Sequence, residues 1–251
     1  GRIFRDATLP EVPVAQRRAY FEAARRVLAT LHQVDWQQLG LQDFGRHEGY
    51  YTRLIHRWTK QYQASRQEPV PAMEHLIEWL PQHIPTGADA AEFTCITHGD
   101  YRMENLMFHP TRPEVVAVLD WELSTLGHPL ADFSYHCMAW HIKPGTFRGI
   151  GGLDFAALGI PSEAEYIRRY CERTGFTTPE ALAKDWNFYL AYNMFRLAGI
   201  LQGIVGRVRD GTASNAAAAQ NELLRLAPLG ICAQGHSVRL AVDAQQMMGL
   251  G

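Results

Sequence analysis

The chain has 251 residues, of which 47% are hydrophobic, and it carries a formal net charge of −2. This length allows one large domain or two small ones, and the near-neutral charge gives no sign of nucleic-acid or membrane-surface binding through bulk charge. No apolar run approaches the roughly 18 residues of a membrane span, and the first residues lack a signal-peptide core. The four cysteines are widely spaced and form no C-x-x-C pair, so we expect a soluble cytoplasmic protein with free thiols.

The first hundred residues show mainly helical periodicity. After an irregular start, apolar residues recur at helical spacing in three segments. We therefore predict three helices followed by an extended segment: Val14 to His32, Tyr50 to Tyr62, Met73 to Ile84, and then Phe93 to Ile96.

Residues 97–122 break the helical pattern, because polar residues alternate there with short apolar runs. The stretch T-H-G-D-Y-R-M-E-N-L-M-F (97–108) predicts a polar loop that leads into a short strand. The stretch V-V-A-V-L-D-W-E (115–122) predicts a second strand, Val115 to Leu119, that ends in the acid Asp120.

The rest of the chain returns to helix. A helix is expected from near Pro129 through Trp140, because proline suits a first helical turn, and the glycine-rich stretch 143–152 is expected to be a surface loop. Ser162 and Glu165 form the pattern of a capping box. The remaining predicted helices are these: Ser162 to Arg173, Pro179 to Arg207 and Ala213 to Ala227.

His98, Asp100 and Asn105 follow the H-x-D-x-x-x-x-N spacing of kinase catalytic loops. Phosphoryl transfer requires a carboxylate beside the acceptor hydroxyl, and Asp100 is our candidate for that role. It also requires oxygen ligands that hold Mg²⁺ on the nucleotide phosphates, and Asn105 and Asp120 suit this hard cation. The alternative is an ordinary strand–loop–strand unit with polar turn residues.

This region resembles the aminoglycoside phosphotransferase and choline kinase group, which is related to the protein kinases. The stretches G-R-I-F-R-D near the start, V-L-A-T-L-H-Q-V-D, and F-R-L-A-G-I-L-Q-G-I-V-G-R-V-R-D-G-T-A-S (195–214) further resemble the phosphotransferase domains fused to acyl-CoA dehydrogenases. The resemblance implies a mainly α fold with a small β element, the helical C-terminal lobe of a protein-kinase-like enzyme, over residues 1–251. It also implies ATP and Mg²⁺ as cofactors.

Other residues have two interpretations each. The resemblance implies that His98 and Asp132 support the loop rather than perform chemistry. Arg102 is interpreted either as a contact to an anionic acceptor or as a partner of Glu104. Three further candidates for acceptor contacts are weaker: Glu122, which is as well explained as a solvated acid, Trp140 and Arg196.

The nucleotide lobe expected of such an enzyme has no counterpart in this sequence. Upstream of His98 the single lysine is Lys60, in a helical pattern, and the glycines form no glycine-rich loop. We therefore expect the N-terminal nucleotide lobe of the same protein to lie outside this chain. Residues 1–251 alone are then expected to be inactive, with apolar residues exposed near the start and around the second strand.

Three functions remain open at this point. The first is an ATP- and Mg²⁺-dependent phosphotransferase that acts on a small-molecule hydroxyl, such as a hydroxyacyl-CoA-type metabolite or an aminoglycoside-like compound. The second is a non-catalytic, kinase-like binding module. The third, which leaves Asn105 unexplained, is a hydrolase that uses the carboxylates of Asp100 and Asp120.

Overall fold

The computed structural model describes residues 1–66, 69–145 and 148–209, and helices dominate this part of the chain. The helices are α1 (Val14–His32), α2 (Tyr50–Ser65), α3 (Pro71–Trp79), α4 (Pro129–Cys137), α5 (Phe155–Leu158), α6 (Glu163–Thr174) and α7 (Pro179–Arg209). The strands are β1 (Cys95–Thr97), β2 (Leu106–Phe108), β3 (Val115–Val118) and β4 (Thr125–Gly127). The expected mainly α fold with a small β element is confirmed.

The four strands form two antiparallel pairs that clamp the polar loop at both ends. Strand β1 pairs with β4, with Cys95 opposite Gly127, and β2 pairs with β3, with Leu106 opposite Val118. Because β1 ends just before the loop and β2 begins just after it, the two pairs fix where the loop enters and leaves. A single bridge between Arg2 and Phe108 adds the start of the chain to the β2 edge.

The core beneath the loop is rich in aromatic residues. Helix α7 packs against α2 and α4, and α1 packs against α6. Tyr51 of α2 is fully buried among the rings of Phe188, Tyr189 and Tyr192 of α7. These large, rigid side chains bury much apolar area each, so they hold the helices that carry the loop in fixed positions.

Most helix boundaries agree with the periodicity of the sequence. Helix α1 has the predicted bounds, and α6 begins at a Ser162 cap whose hydroxyl oxygen accepts the Glu165 N–H at 3.3 Å. The third helix is shorter than predicted, because it ends at Trp79 and a 3-10 turn, Leu80–Gln82, follows it. Pro81 explains this difference, since proline cannot continue the α-helical hydrogen-bond ladder.

The strands differ more from the sequence prediction. The expected segment 93–96 is a strand only over Cys95–Thr97, and the second strand ends at Val118 rather than at Leu119. A 3-10 turn, Trp121–Leu123, follows Asp120, so Glu122 lies in a turn rather than on a continuing strand. Strand β4 and the one-turn helix α5 were not predicted, and the predicted helix 213–227 lies outside the described residues.

Several apolar side chains are exposed where the sequence analysis expected them. Ile3 is 46% exposed near the start, Val116 is 49% exposed on β3, and Trp121 is 43% exposed just after Asp120. No described helix is both long enough and apolar enough to cross a membrane. Three of the four cysteines, Cys95, Cys137 and Cys171, are free and buried; the fourth lies outside the described residues.

Candidate active site

The backbone of the polar loop rests on the carboxylate of Asp132, in the first turn of α4. One carboxylate oxygen, Oδ2, accepts the His98 N–H at 2.6 Å, and Oδ1 accepts the Gly99 N–H at 2.8 Å. Burial by itself raises the pKa of Asp132, but hydrogen bonds from the His32 side chain and from these two N–H groups outweigh it and lower the pKa. Asp132 is therefore a buried, ionised carboxylate that holds the backbone of the loop.

Gly99 is held from its other side by Arg196 of α7. The guanidinium Nη2 donates to the Gly99 carbonyl oxygen at 2.5 Å, and Arg196 is only 8% exposed. Gly99 adopts a left-handed φ of 82°, and a Cβ atom there would lie 2.6 Å from the Leu123 carbonyl oxygen. Glycine is thus required between His98 and Asp100 for steric as well as conformational reasons.

The Asp100 carboxylate has donors on both of its oxygens. Asn105 Nδ2 donates to Oδ2 at 2.9 Å and to the Asp100 backbone oxygen at 2.8 Å. Oδ1 accepts the Tyr135 hydroxyl at 2.7 Å and lies 3.1 Å from Arg102 Nη1. These contacts fix the orientation of a partly exposed carboxylate at the end of a rigid loop.

His98 uses both ring nitrogens to connect the loop to the segment that carries Asp120. Its Nδ1 accepts the Asp100 N–H at 3.2 Å, so the proton is on Nε2, which donates to the Leu119 carbonyl oxygen at 2.8 Å. The Leu119 N–H in turn donates to the Asn105 carbonyl oxygen at 2.8 Å. With both nitrogens occupied, His98 supports the loop and is not available as a base.

Asp120 follows Leu119 directly and projects from a strained position. Its backbone is left-handed, with φ of 67°, a conformation that aspartate tolerates better than most residues. The side chain is exposed, and among the described residues it receives no hydrogen bond. Such strain is often found where a side chain is aimed for function.

Asn105 and Asp120 fit a magnesium site by their donor chemistry. Nδ2 of Asn105 is fully used on Asp100, which leaves its amide oxygen and the Asp120 carboxylate as hard oxygen donors on adjoining segments. No three or more His, Cys, Asp or Glu side chains of the described residues gather in a way that could hold a metal ion. Magnesium commonly binds through one or two protein oxygens, with phosphates and waters completing its shell.

The four candidates for acceptor contacts lie in different environments. Arg102 lies beside Asp100, and its Nε lies 3.5 Å from Glu104 Oε2, the partner that one of its two interpretations named. Glu122 is exposed in the turn after Asp120. Trp140 is buried and donates its Nε1–H to the Pro161 carbonyl oxygen, although its ring also lines a small cavity that Arg102 reaches.

Arg196 does not occupy the position that the sequence analysis considered for it. It is buried beneath the loop, where its guanidinium lies 5.1 Å from the centre of the Tyr135 ring and 5.7 Å from that of Trp58. This arrangement makes Arg196 a support of the Gly99 carbonyl group rather than a contact for an acceptor.

Two residues of the site were missed by sequence reasoning. Tyr135, which binds Asp100, falls within a predicted helix and has the appearance of a core aromatic residue. His32, whose Nε2 lies 3.4 Å from Asp132 Oδ2, is the last residue of α1; it stands in the stretch V-L-A-T-L-H-Q-V-D, but no role was assigned to it. The spacing of Asp132 and Tyr135, three residues apart on α4, was the available signal, because it places both on one helix face.

Comparison with known proteins decides the family. Residues 1–184 match the APH family, described as the phosphotransferase enzyme family. The chain belongs to this phosphotransferase family. The family resemblance inferred from the motifs is therefore confirmed.

The relatives of this phosphotransferase domain include much longer proteins. It is 44% identical over 224 residues to acyl-CoA dehydrogenase family member 10 of Mus musculus, a match that covers 88% of this chain and 20% of that protein. The chain thus spans about a fifth of the length of this relative. The likeness to phosphotransferase domains of proteins named for acyl-CoA dehydrogenases is confirmed.

Solved structures confirm the fold of the phosphotransferase domain. A Ralstonia eutropha protein assigned to the aminoglycoside phosphotransferases is 55% identical, with a TM-score of 0.86, over 95% of this chain and 70% of that chain. Choline kinase from Cryptosporidium parvum gives a TM-score of 0.61 at 11% identity, over 94% of this chain and 70% of that chain. The fold is that of the protein-kinase-like phosphotransferases.

Proposed function

We propose that this chain carries the catalytic loop of an ATP- and Mg²⁺-dependent phosphotransferase that acts on a hydroxyl group of a small molecule. The observation that carries the proposal is the Asp100 carboxylate, which Asn105 and Tyr135 hold in a loop that is hydrogen-bonded to the segment carrying Asp120. Family membership supports phosphoryl transfer in general, and the chemistry of these side chains supports the finer assignment.

In the proposed reaction Asp100 orients the acceptor hydroxyl and takes its proton. As the acceptor oxygen bonds to the γ-phosphorus of ATP, the bond from that phosphorus to the β–γ bridging oxygen breaks, and its electron pair leaves with ADP. Bound Mg²⁺, which Asn105 and Asp120 would hold, supplies charge neutralisation on the phosphates. Asp132 and Arg196 keep the loop in place throughout, because they grip its backbone.

The charges beside Asp100 argue against a polycationic acceptor. A cavity of about 50 Å³ beside the loop is lined by three arginines, Arg5, Arg102 and Arg148, and by one acid, Glu104. Arg102 lies near both Asp100 and Glu104, and Arg148 is paired with Glu104, so the cavity does not have the excess of acids that a polycationic aminoglycoside-like compound requires. We therefore favour a hydroxyacyl-CoA-type metabolite or a similar anionic alcohol.

The complete reaction requires groups beyond those of the described site. A glycine-rich loop and a lysine on the nucleotide phosphates are expected from an N-terminal lobe of the same protein. We also propose a cytoplasmic location, where the buried thiols of Cys95, Cys137 and Cys171 would remain reduced.

The test uses the full-length protein with Mg²⁺-ATP and three hydroxyl compounds: 3-hydroxybutyryl-CoA, choline and kanamycin. We expect ³¹P NMR to show a new phosphate ester on the anionic acceptor, together with ADP. Nucleotide binding without any phosphate ester would instead indicate the non-catalytic binding module. Hydrolysis of an acceptor in the absence of nucleotide would indicate the two-carboxylate hydrolase.

A further inference from the structure

The hydroxyl group of Tyr135 makes the shortest of the side-chain hydrogen bonds that hold the Asp100 carboxylate. It donates to Oδ1 at 2.7 Å, and Tyr135 is only 6% exposed. Tyr135 lies one helical turn after Asp132 on α4. One face of α4 therefore holds the backbone of the loop through Asp132 and the reactive side chain of the loop through Tyr135.

The contacts of the two carboxylate oxygens are unequal. Each oxygen of an ionised carboxylate offers about two lone-pair sites. Oδ1 of Asp100 meets two donors, the Tyr135 hydroxyl and Arg102 Nη1, whereas Oδ2 meets one, Asn105 Nδ2. Oδ2 is therefore the oxygen with a lone pair left for a further hydrogen bond.

We propose that Tyr135 is a positioning residue that holds Oδ1 of Asp100, so that Oδ2 faces the acceptor hydroxyl and receives its proton. This inference rests on the proposed function. Without Tyr135, Oδ1 depends on Arg102 alone, whose side chain is 27% exposed and also lies near Glu104. The carboxylate then keeps the Asn105 bond on Oδ2 but loses its buried donor on Oδ1, so its rotation about the Cβ–Cγ bond is less restricted.

The surroundings keep Tyr135 fixed and protonated. Burial, and then the neighbouring Asp100 carboxylate, raise the pKa of Tyr135 to about 12, so its hydroxyl remains a donor near neutral pH. Its ring lies under the Arg196 guanidinium, the same group that donates to the Gly99 carbonyl oxygen. The buried guanidinium of Arg196 thus contacts both Tyr135 and the loop backbone.

Tyr135→Phe removes the hydroxyl and keeps the ring, and Tyr166→Phe is the matched control. The Tyr166 hydroxyl is also buried and hydrogen-bonded, to the Phe21 carbonyl oxygen at 3.0 Å and to His136 Nε2 at 2.9 Å, but it does not touch Asp100. In the full-length protein we expect Tyr135→Phe to lower kcat about tenfold and to leave the KM for Mg²⁺-ATP unchanged, because only the orientation of the base is lost. Tyr166→Phe should lower the melting temperature without lowering kcat.

A second measurement detects the contact without any turnover. In protein labelled with ¹³C at tyrosine Cζ, Asp100→Asn should move the Tyr135 resonance and leave the Tyr166 resonance in place. Each resonance is assigned from its own Tyr→Phe variant. An unmoved Tyr135 resonance, or a Tyr135→Phe enzyme with the kcat of the parent, overturns the positioning role. If the parent enzyme transfers phosphate to none of the acceptors, the proposed function itself is overturned, even where the Tyr135 resonance moves.

Discussion

Asn105 binds Asp100 twice with a single nitrogen, since its Nδ2 lies 2.8 Å from the Asp100 backbone oxygen and 2.9 Å from Oδ2. The two residues that give the loop its motif spacing are therefore one hydrogen-bonded unit. The bond also turns the Asn105 amide oxygen away from Asp100 and leaves it free for a cation.

Replacement of Asn105 by aspartate should damage the loop more than replacement by alanine. Asn105→Asp places a second carboxylate within hydrogen-bond distance of Asp100, where the two acids repel, while Asn105→Ala removes only the donor. We expect Asn105→Ala to lower the free energy of unfolding by roughly 1–2 kcal/mol, and Asn105→Asp to lower it further. Urea denaturation at neutral pH is the measurement, and equal stability of the two variants would contradict the paired geometry.

Asp100 and Asp120 should have separable effects in the full-length protein. Asp100→Asn should leave folding and nucleotide affinity nearly unchanged and lower turnover steeply, because it removes the group that acts on the acceptor proton. Asp120→Ala should weaken the binding of Mg²⁺-nucleotide. Calorimetric titration combined with steady-state kinetics distinguishes the two, and an equal loss of nucleotide affinity in both variants would refute the division of roles.

Asp132 should contribute stability that disappears in acid. Its pKa is lowered in the folded chain, so its contribution is fully present above the ordinary aspartate value of 3.8 and is lost as the pH falls below it. Asp132→Asn leaves at least one loop N–H without an acceptor, and at neutral pH it should cost about 3 kcal/mol.

Urea denaturation of the parent and of Asp132→Asn between pH 6 and pH 3 measures this contribution. The difference in stability should be constant near pH 6 and should shrink at the acid end. A difference that stays constant down to pH 3 would mean that the folded chain does not favour the Asp132 carboxylate.

His136 should make the protein less stable between pH 6.5 and pH 4. Burial lowers its pKa from 6.5 to about 4, so in this interval the unfolded chain binds a proton that the folded chain does not, and stability falls as the pH falls. The slope for one such group approaches about 1.4 kcal/mol per pH unit. His136→Gln should reduce the slope, and His56→Gln, at an exposed position of α2, is the matched control. A slope that both substitutions leave unchanged would mean that the pKa of His136 is not lowered in the folded protein.

Residues 1–251 by themselves should bind Mg²⁺-ATP weakly and show no measurable turnover. The sequence upstream of His98 has neither a glycine-rich loop nor a strand lysine for the phosphates. Calorimetric titration of this chain with Mg²⁺-ATP is the measurement. Micromolar affinity would show that the chain holds its own complete nucleotide site.

The features that depend on nearby residues in the chain were the easiest to predict from the sequence. The helical periodicity of α1 and the spacing of His98, Asp100 and Asn105 were readable because both depend on local order along the chain. Strand β4 was missed because its three residues, Thr125–Gly127, are too short to show an alternating pattern, and its pairing with β1 is a tertiary event.

The supports of the site were harder to predict than its reactive groups. Tyr135 and Arg196 act through hydrogen bonds to residues 35 and 97 positions away, and no local pattern encodes such distances. In sequence, a buried tyrosine resembles core packing, and an arginine on a long helix resembles a surface cation. The fold alone reveals that both face the loop.

The contacts that hold the loop backbone determine which loop residues can be exchanged to change the acceptor specificity. Asp132 and Arg196 grip N–H and C=O groups of His98 and Gly99, and every amino acid except proline has both groups. These backbone contacts therefore do not depend on the side chains at positions 102 and 104, which face the arginine-lined cavity. Arg102 also contacts the Asp100 carboxylate, whereas Glu104 is paired with Arg102 and Arg148. Under the proposed function, an exchange at position 104 therefore offers a route to a different alcohol that leaves the contacts of the reactive carboxylate in place.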